Sequence, residues 1–313
     1  MDIEGIESFL TVAHMKSISK AAASLHITQP TLSTRIRKLE QTLGFPLLER
    51  SWNGVSLSRQ GHYFLPYAID CLRELTNAST TLGSFHELMA LDESLAEKAL
   101  PRTESIKIGM NIWLAPFFTD AILAELNTHF PKLDYQFFTK PTDTLKDMLT
   151  YNGIHMAVFY QNERKTGLYS RKLFEDEMVL LCSHEDWISI DKDVRNVGEM
   201  DKPFLVLDNP VLANNRRLIQ SIRSRLDIKR CQIVDNINVM SSIIISKKGY
   251  TILPRTGLSQ IAHLSSLPLK VIPLERRVPS IAIHMEYHAS SPFLEPIQLI
   301  EKRLSAFQSV YAS

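Results

Sequence analysis

No run of apolar residues in this chain approaches the roughly 20 needed to cross a bilayer. The start, Met1-Asp2-Ile3-Glu4, lacks the basic region and apolar run of a secretory signal. A cytoplasmic location is therefore expected. Cysteine is scarce: Cys71, Cys182 and Cys231 stand far apart and in no metal-ligand spacing. That argues against a secreted disulfide framework. Three ordinary thiols behaving as small hydrophobes are expected, with a redox switch as the minor alternative. Catalytic signatures are also missing. There is no G-x-S-x-G elbow, H-E-x-x-H pair, P-loop or G-x-G-x-x-G turn. His284 and His288 lie four apart, but in a stretch that reads as strand, where that spacing does not gather a metal. No acid–base pair assembles, so the expectation is no enzyme, no cofactor and no metal. The formal net charge is only +1, so a nucleic-acid binder would have to concentrate its basic residues locally.

What is present points to more than one domain. The chain has 313 residues, too many for one typical domain, and 44% of them are apolar, enough for real cores. Helical periodicity begins at once, with Ile3, Ile6, Phe9, Leu10 and Ala13 on one face. Ser19 reads as an N-cap ahead of Lys20 and the small apolar face of Ala21, Ala22 and Leu25. After a short turn at His26-Ile27, Thr28 reads as a second N-cap, with Gln29 and Pro30 in the first turn. Leu32, Ile36, Leu39 and Leu43 form one buried stripe, ended by Gly44 and Pro46.

Two short capped helices joined by a tight turn make a helix-turn-helix pattern. The exposed face of the second carries Gln29, Thr31, Ser33, Thr34, Arg35, Arg37 and Lys38, which can reach base edges and phosphates. Over residues 14–60, the seven basic residues Lys16, Lys20, Arg35, Arg37, Lys38, Arg50 and Arg59 face only Glu40 and Glu49. The basic charge is thus concentrated where DNA binding needs it. Asn53-Gly54 is a strong hairpin signal, predicting a two-stranded wing with Arg50 near a phosphate backbone.

Beyond Gly61, the residues Phe64, Ala68, Cys71, Leu75, Ala78, Leu82, Phe85 and Met89 alternate in steps of four and three. That is a heptad seam, expected to pair two chains rather than dock within one. Residues 92–104 are polar, alanine-rich and broken by Pro101, and read as a hinge. From Ser105 the pattern becomes α/β. Strands are expected at 106–110, 133–138, 154–159, 177–182, 204–207, 232–234, 251–254, 269–272 and 279–287. Helices are expected at 113–130, 142–151, 212–226, 239–246 and 292–307. The alternation argues for a parallel sheet.

The run Ser19-Lys-Ala-Ala-Ala-Ser-Leu-His-Ile-Thr-Gln-Pro-Thr-Leu-Ser, with Ile36, Leu39-Glu40, Leu43-Gly44, Leu48-Glu49-Arg50 and Leu57-Ser58…Gly61, closely resembles the winged helix-turn-helix of LysR-type transcriptional regulators. The match is nearly continuous over residues 1–65. A weaker resemblance to that family's effector domain covers 105–308, on Ile108-Gly109, Asn127…Phe130-Pro131, Gly153…Ala157-Val158, Leu173 and Gly249…Leu253-Pro254.

The resemblance implies an α/β protein with an N-terminal all-α winged helix-turn-helix, a long linker helix and a two-lobed, periplasmic-binding-protein-like effector domain. The expected division is DNA-binding domain 1–60, dimerisation helix 61–91, hinge 92–104 and effector domain 105–313. Lobe one would hold 105–175 and 274–313, and lobe two 176–273. The implied partners are double-stranded DNA, a small-molecule effector between the lobes, and a second copy of the chain. A homotetramer and contact with RNA polymerase are further implications. Mapped DNA contacts are Ser19, Lys20, Thr28, Gln29, Pro30, Thr31, Ser33, Thr34, Arg35, Arg37, Lys38 and Arg50. Thr34-Arg35 stands where relatives vary, so no target sequence carries over. Mapped effector contacts are Asn111, Ile112, Trp113, Lys140, Thr142, Asp208 and Asn209, at strand ends and helix N-termini that favour anions. Trp113 stands where relatives often carry Ser or Thr to hold a carboxylate. It either shapes the pocket as an aromatic platform or is simply core. His155 and Lys247 are further departures, from Asp and Gly, and read as structural or solvated. The alternative, a binding protein or enzyme whose N-terminal helices only oligomerise, is disfavoured by the basic capped helix and the seam.

Overall fold

The computed structural model describes residues 2–51, 54–91, 105–160, 168–207, 216–261, 267–274 and 277–307. The expected hinge, 92–104, lies outside them. The chain divides into two units, Met1–Arg102 and Thr103–Ser313.

The first unit opens with α1 (Ile3–Met15), capped by the Asp2 carboxylate, which accepts from the Gly5 N–H at 2.7 Å. Its buried stripe is Ile6, Phe9 and Val12, and Ile3 is left exposed. Helix α2 (Ile18–Ser24) begins before the expected cap: Ser17 accepts from the Lys20 N–H, and Ser19 lies inside the helix. The reason is Ile18, whose side chain is buried in the shared core and must sit within the first turn. Helix α3 (Gln29–Leu43) is capped by Thr28, has Pro30 in its first turn and ends on Gly44 at φ +82°. Strands β1 (Leu48–Ser51) and β2 (Gly54–Leu57) form the antiparallel wing. The register pairs Ser51 with Gly54, so Gly54 belongs to the ladder rather than to the tip, and Trp52 and Asn53 lie outside the described residues. A Cβ at Gly54 would lie 2.9 Å from the Lys16 carbonyl oxygen, so the wing approaches the α1–α2 turn closely. The Glu40 carboxylate accepts from the Leu47 and Leu48 N–H groups at 2.8 and 3.1 Å, tying β1 to α3. Helix α4 (Arg59–Leu91) follows, with Pro66 in its third turn. Burying a side chain such as Phe9 or Leu32 contributes about 1.5–3 kcal/mol, which is how three short helices hold one arrangement.

The second unit has two lobes. Lobe one holds β3 (Ile106–Met110), α5 (Ala115–His129), β4 (Tyr135–Thr139), α6 (Thr142–Thr150), β5 (Met156–Tyr160) and β6 (Tyr169–Asp176). Lobe two holds β7 (Met178–Ser183), α7 (His184–Ser189), β8 (Phe204–Leu207), α8 (Arg216–Arg225), β9 (Cys231–Val234), α9 (Ile237–Ile245), β10 (Thr251–Pro254), a 3-10 turn (Arg255–Gln260) and β11 (Leu269–Pro273). The chain then returns to lobe one through β12 (Ile281–Tyr287) and α10 (Leu294–Ser305).

The sheets are mixed, which corrects the expectation of a parallel sheet. Lobe one runs β4-β3-β5-β12-β6; β3 is parallel to β4 and β5, but β12 is antiparallel to both its neighbours. The physical reason is that β12 arrives from the other lobe and not by a helical crossover, so nothing constrains it to be parallel. In lobe two β7 lies antiparallel between β10 and β11, and β8 pairs parallel with β9. One hydrophobic cluster runs through both lobes, from Ile106 and Phe118 to Leu180 and Ile244.

Candidate functional site

Helix α3 divides cleanly. Leu32, Ile36 and Leu39 are buried, while Gln29, Pro30, Thr31, Thr34, Arg37 and Lys38 are exposed and Ser33 is half-buried. Ser19 and Lys20 lie exposed on α2, and the Ser19 hydroxyl donates to the Gln29 side-chain oxygen at 3.2 Å. That bond ties α2 to the first turn of α3. The Thr28 hydroxyl lies 2.8 Å from that of Thr31, and Thr34 donates back to the Pro30 carbonyl. Arg35 departs from the expectation that it projects from the open face. It stands three residues after Leu32 and four before Leu39, so it shares their side of the helix. Its guanidinium is turned to α1 and pairs with Glu4 at 2.6 Å. The Arg50 side chain lies outside the described residues, although its backbone is paired with Val55 in the wing. Glu40 points inward, so it opposes the surface charge less than its count suggests.

The expected seam on α4 separates into two parts. The ring of Phe64 lies 5.6 Å from that of Phe9, and Ala68 is buried, so these two positions belong to the core of their own unit. From Cys71 to Leu82 the seam is bare: Cys71 and Ala78 are exposed, as are Leu75 at 46% and Leu82 at 62%. The side chains of Phe85 and Met89 lie outside the described residues.

Between the lobes, Trp113 is 4% exposed and packs on Gly257, where a Cβ would lie 2.7 Å from the indole. The indole lines a cavity of about 30 Å³ with Tyr160, Met178, Leu205, Ile222 and Met240. Asn111 is fully buried: its oxygen accepts from the Trp113 N–H at 3.0 Å and its amide donates to Thr142 at 3.3 Å. Thr142 in turn donates to the Tyr160 carbonyl at 3.4 Å. Ile112 is exposed, its carbonyl accepting from Gln260 across the lobes, and Lys140 is exposed. Asp208 and Asn209 lie outside the described residues. Of the expected effector residues that are described, only Trp113 lines the cavity.

A polar cluster that sequence reasoning missed joins the lobes beside it. Asp176, at the end of β6, accepts from the Thr256 hydroxyl at 2.5 Å, and that hydroxyl lies 2.6 Å from the Tyr160 hydroxyl. Burial raises the Asp176 carboxyl to about 6, against the hydrogen bonds from Thr256 and Tyr160 that favour its charged form. No sequence spacing links positions 160, 176 and 256. His155 also has a structural place: Nδ1 accepts from the Lys107 N–H at 2.8 Å, and burial, then Lys107, lowers its pKa. Lys247 pairs with Glu185 at the surface. His284 lies 3.4 Å from the Ser170 hydroxyl, and His288 bonds the Leu149 carbonyl oxygen. The Cys182 thiol, pushed up to about 12 by burial, is a packing group rather than a nucleophile. Among the described residues, no helix is long and apolar enough to cross a membrane.

Comparison with known proteins follows this division. The family model for the bacterial regulatory helix-turn-helix protein, lysR family, matches residues 3–62, and the LysR substrate binding domain model matches residues 101–303. The hydrogen peroxide-inducible genes activator of Haemophilus influenzae is 23% identical over 97% of this chain and 96% of its own length. The DNA-binding transcriptional dual regulator OxyR of Escherichia coli is 22% identical over 98% and 95%. Among solved structures, full-length BenM superposes with a TM-score of 0.54 at 19% identity, covering 99% of this chain and 98% of its own. A full-length OxyR variant from Pseudomonas aeruginosa gives 0.53 at 18% identity, covering 97% and 99%. With both family models matching in order and together covering most of its length, the chain belongs to the LysR family of DNA-binding transcription regulators.

Proposed function

We propose that the chain acts as a dimer that reads operator DNA with α3 and is reset by a small molecule held between the lobes of its second unit. The observation that carries this reading is the split of α3: an apolar stripe locked into the core, and an open face of Gln29, Thr31, Thr34, Arg37 and Lys38. Amides and hydroxyls at the N-terminal end of such a helix suit base edges, and Arg37 and Lys38 suit phosphates. Lys20 adds a basic contact from α2, and Arg50 another from the wing. The bare stretch of α4 from Cys71 to Leu82 supports pairing with a second copy, which would hold two reading helices about one DNA turn apart. Closure of the lobes on a ligand would shift an existing equilibrium between arrangements of that pair.

Mapping of bound DNA followed by salt titration on the recovered sites tests this. Saturable binding is expected, with affinity falling steeply as salt rises. A protein with no measurable affinity for any duplex at low salt would refute the reading.

A further inference from the structure

The interlobe cavity, of about 30 Å³, takes its lining from both lobes. Its walls decide what it can hold. Trp113, Met178, Leu205, Ile222, Met240 and Leu253 present hydrocarbon or ring surface, and among the described residues no charged side chain lines it. Two of its lining residues, Thr251 and Tyr160, carry hydroxyls. That of Thr251 is already donated to the Leu205 carbonyl at 2.9 Å. That of Tyr160 lies at the edge of the Asp176–Thr256 cluster.

The groups that would grip an anion are engaged elsewhere. Asn111 and Thr142 bond each other, the Trp113 N–H and the Tyr160 carbonyl, and Lys140 stands in solvent. Behind the wall stands the Asp176 carboxyl, bonded to the Tyr160 and Thr256 hydroxyls, and it disfavours a second negative charge beside it. Glu177 and Arg255 pair with each other. Moving an unpaired carboxylate from water into such a cavity costs several kcal/mol. An apolar guest gains free energy there in proportion to the area it buries.

We infer that the interlobe cavity takes an uncharged, hydrocarbon-rich small molecule, with the Tyr160 hydroxyl as its one polar contact, rather than an organic acid. This rests on the reading of the second unit as effector-binding. A volume of about 30 Å³ exceeds the space of a single water, but a ring-sized guest needs the walls to move. Met240, unbranched and adaptable, and the Trp113 indole are the parts that can yield. Binding then displaces Trp113, which lies against Gly257 of lobe two, and so couples occupancy to the contact between the lobes.

The test uses the full chain and matched pairs of probes: benzyl alcohol against benzoate, and cyclohexylmethanol against cyclohexanecarboxylate. Binding is followed by calorimetry and by tryptophan fluorescence. Saturable binding of the alcohols is expected, with the carboxylates weaker by more than about tenfold, a difference of about 1.4 kcal/mol. Ile222→Trp, which fills the cavity, should abolish it, and Met240→Ala, which enlarges it, should tighten it. Should Ile222→Trp fail to fold, Met240→Ala still decides, because a site elsewhere would not respond. Carboxylates that bind at this cavity more tightly than the alcohols overturn the ligand class and leave the effector reading standing. Alcohols that bind as expected but leave operator affinity and footprint unchanged uphold the ligand class and refute the gating. Binding by none of the four overturns the inference.

Discussion

The Arg35 guanidinium lies 2.6 Å from the Glu4 carboxylate, so a basic residue of the reading helix is held against α1. Arg35 therefore ties α3 to α1, and in the proposed reading base contacts fall to the first turn of α3. Arg35→Ala is expected to cost less than about 1 kcal/mol of stability, since Glu4 is largely exposed. It should leave site preference unchanged. Glu4→Gln frees the guanidinium and should raise affinity for all duplexes, with a steeper salt slope. Competition binding on variant sites checks both; a shift in preferred sequence for Arg35→Ala would return it to the reading face.

The two serines of α2 should behave differently. Ser17→Ala removes the cap bond to Lys20 and should lower unfolding stability by about 1 kcal/mol. Ser19→Ala leaves the cap intact but frees the Gln29 amide, so its effect should fall on DNA binding and not on the melting temperature. Thermal melts and operator titrations on the same two proteins separate them.

The seam predicts a contrast along one helix. Leu75→Lys or Leu82→Lys places a charge on the bare stretch and should halve the mass seen by light scattering. Ala68→Lys puts the charge into a buried position of the N-terminal core and should instead unfold that unit. An unchanged mass for both leucine variants would disprove pairing through α4.

Asp176 gives a pH dependence of defined sign. Unfolded, its carboxyl loses its proton near 3.8, and folded it holds it to about 6. Unfolding thus releases a proton between those values, so this group's contribution to stability falls as pH rises from about 4 to 6 and is level above. The shift corresponds to about 3 kcal/mol of destabilisation at pH 7. Asp176→Asn should therefore be more stable than the parent at pH 7, with the gap closing towards pH 4. Denaturant midpoints across that range measure it, and a gap that widens on acidification would contradict the burial account.

Gly257→Ala should displace the Trp113 indole, because the new methyl would lie 2.7 Å from it. Overpacking of this kind costs about 1–3 kcal/mol. The smaller ring in Trp113→Phe should recover part of the loss in the double variant, read as melting temperature.

Much of this molecule was written in local pattern. The steps of Leu32, Ile36 and Leu39, the hydroxyl at Thr28 and the glycine at Gly44 define α3 without reference to anything distant, because helix caps and stripes are local. In the second unit the apolar runs 106–110, 204–207 and 251–254 announce buried strands. Strand β6 was not announced: Tyr-Ser-Arg-Lys-Leu-Phe-Glu-Asp lies at a sheet edge, where charged side chains reach solvent and erase the alternation.

The sequence by itself thus determined the helix-turn-helix, its concentration of basic residues, the long helix and the alternation of strands and helices beyond it, since each depends on spacing within one segment. The two-lobed plan came with the family resemblance. Only the tertiary structure decided that Arg35 faces Glu4, that Phe64 and Ala68 belong to the core and not to the seam, and that β12 runs antiparallel. It also brought Tyr160, Asp176 and Thr256 into one buried cluster and closed Asn111 into internal bonds beneath Trp113. Those outcomes depend on which surfaces meet, and contacts between residues far apart in the chain leave no period to read.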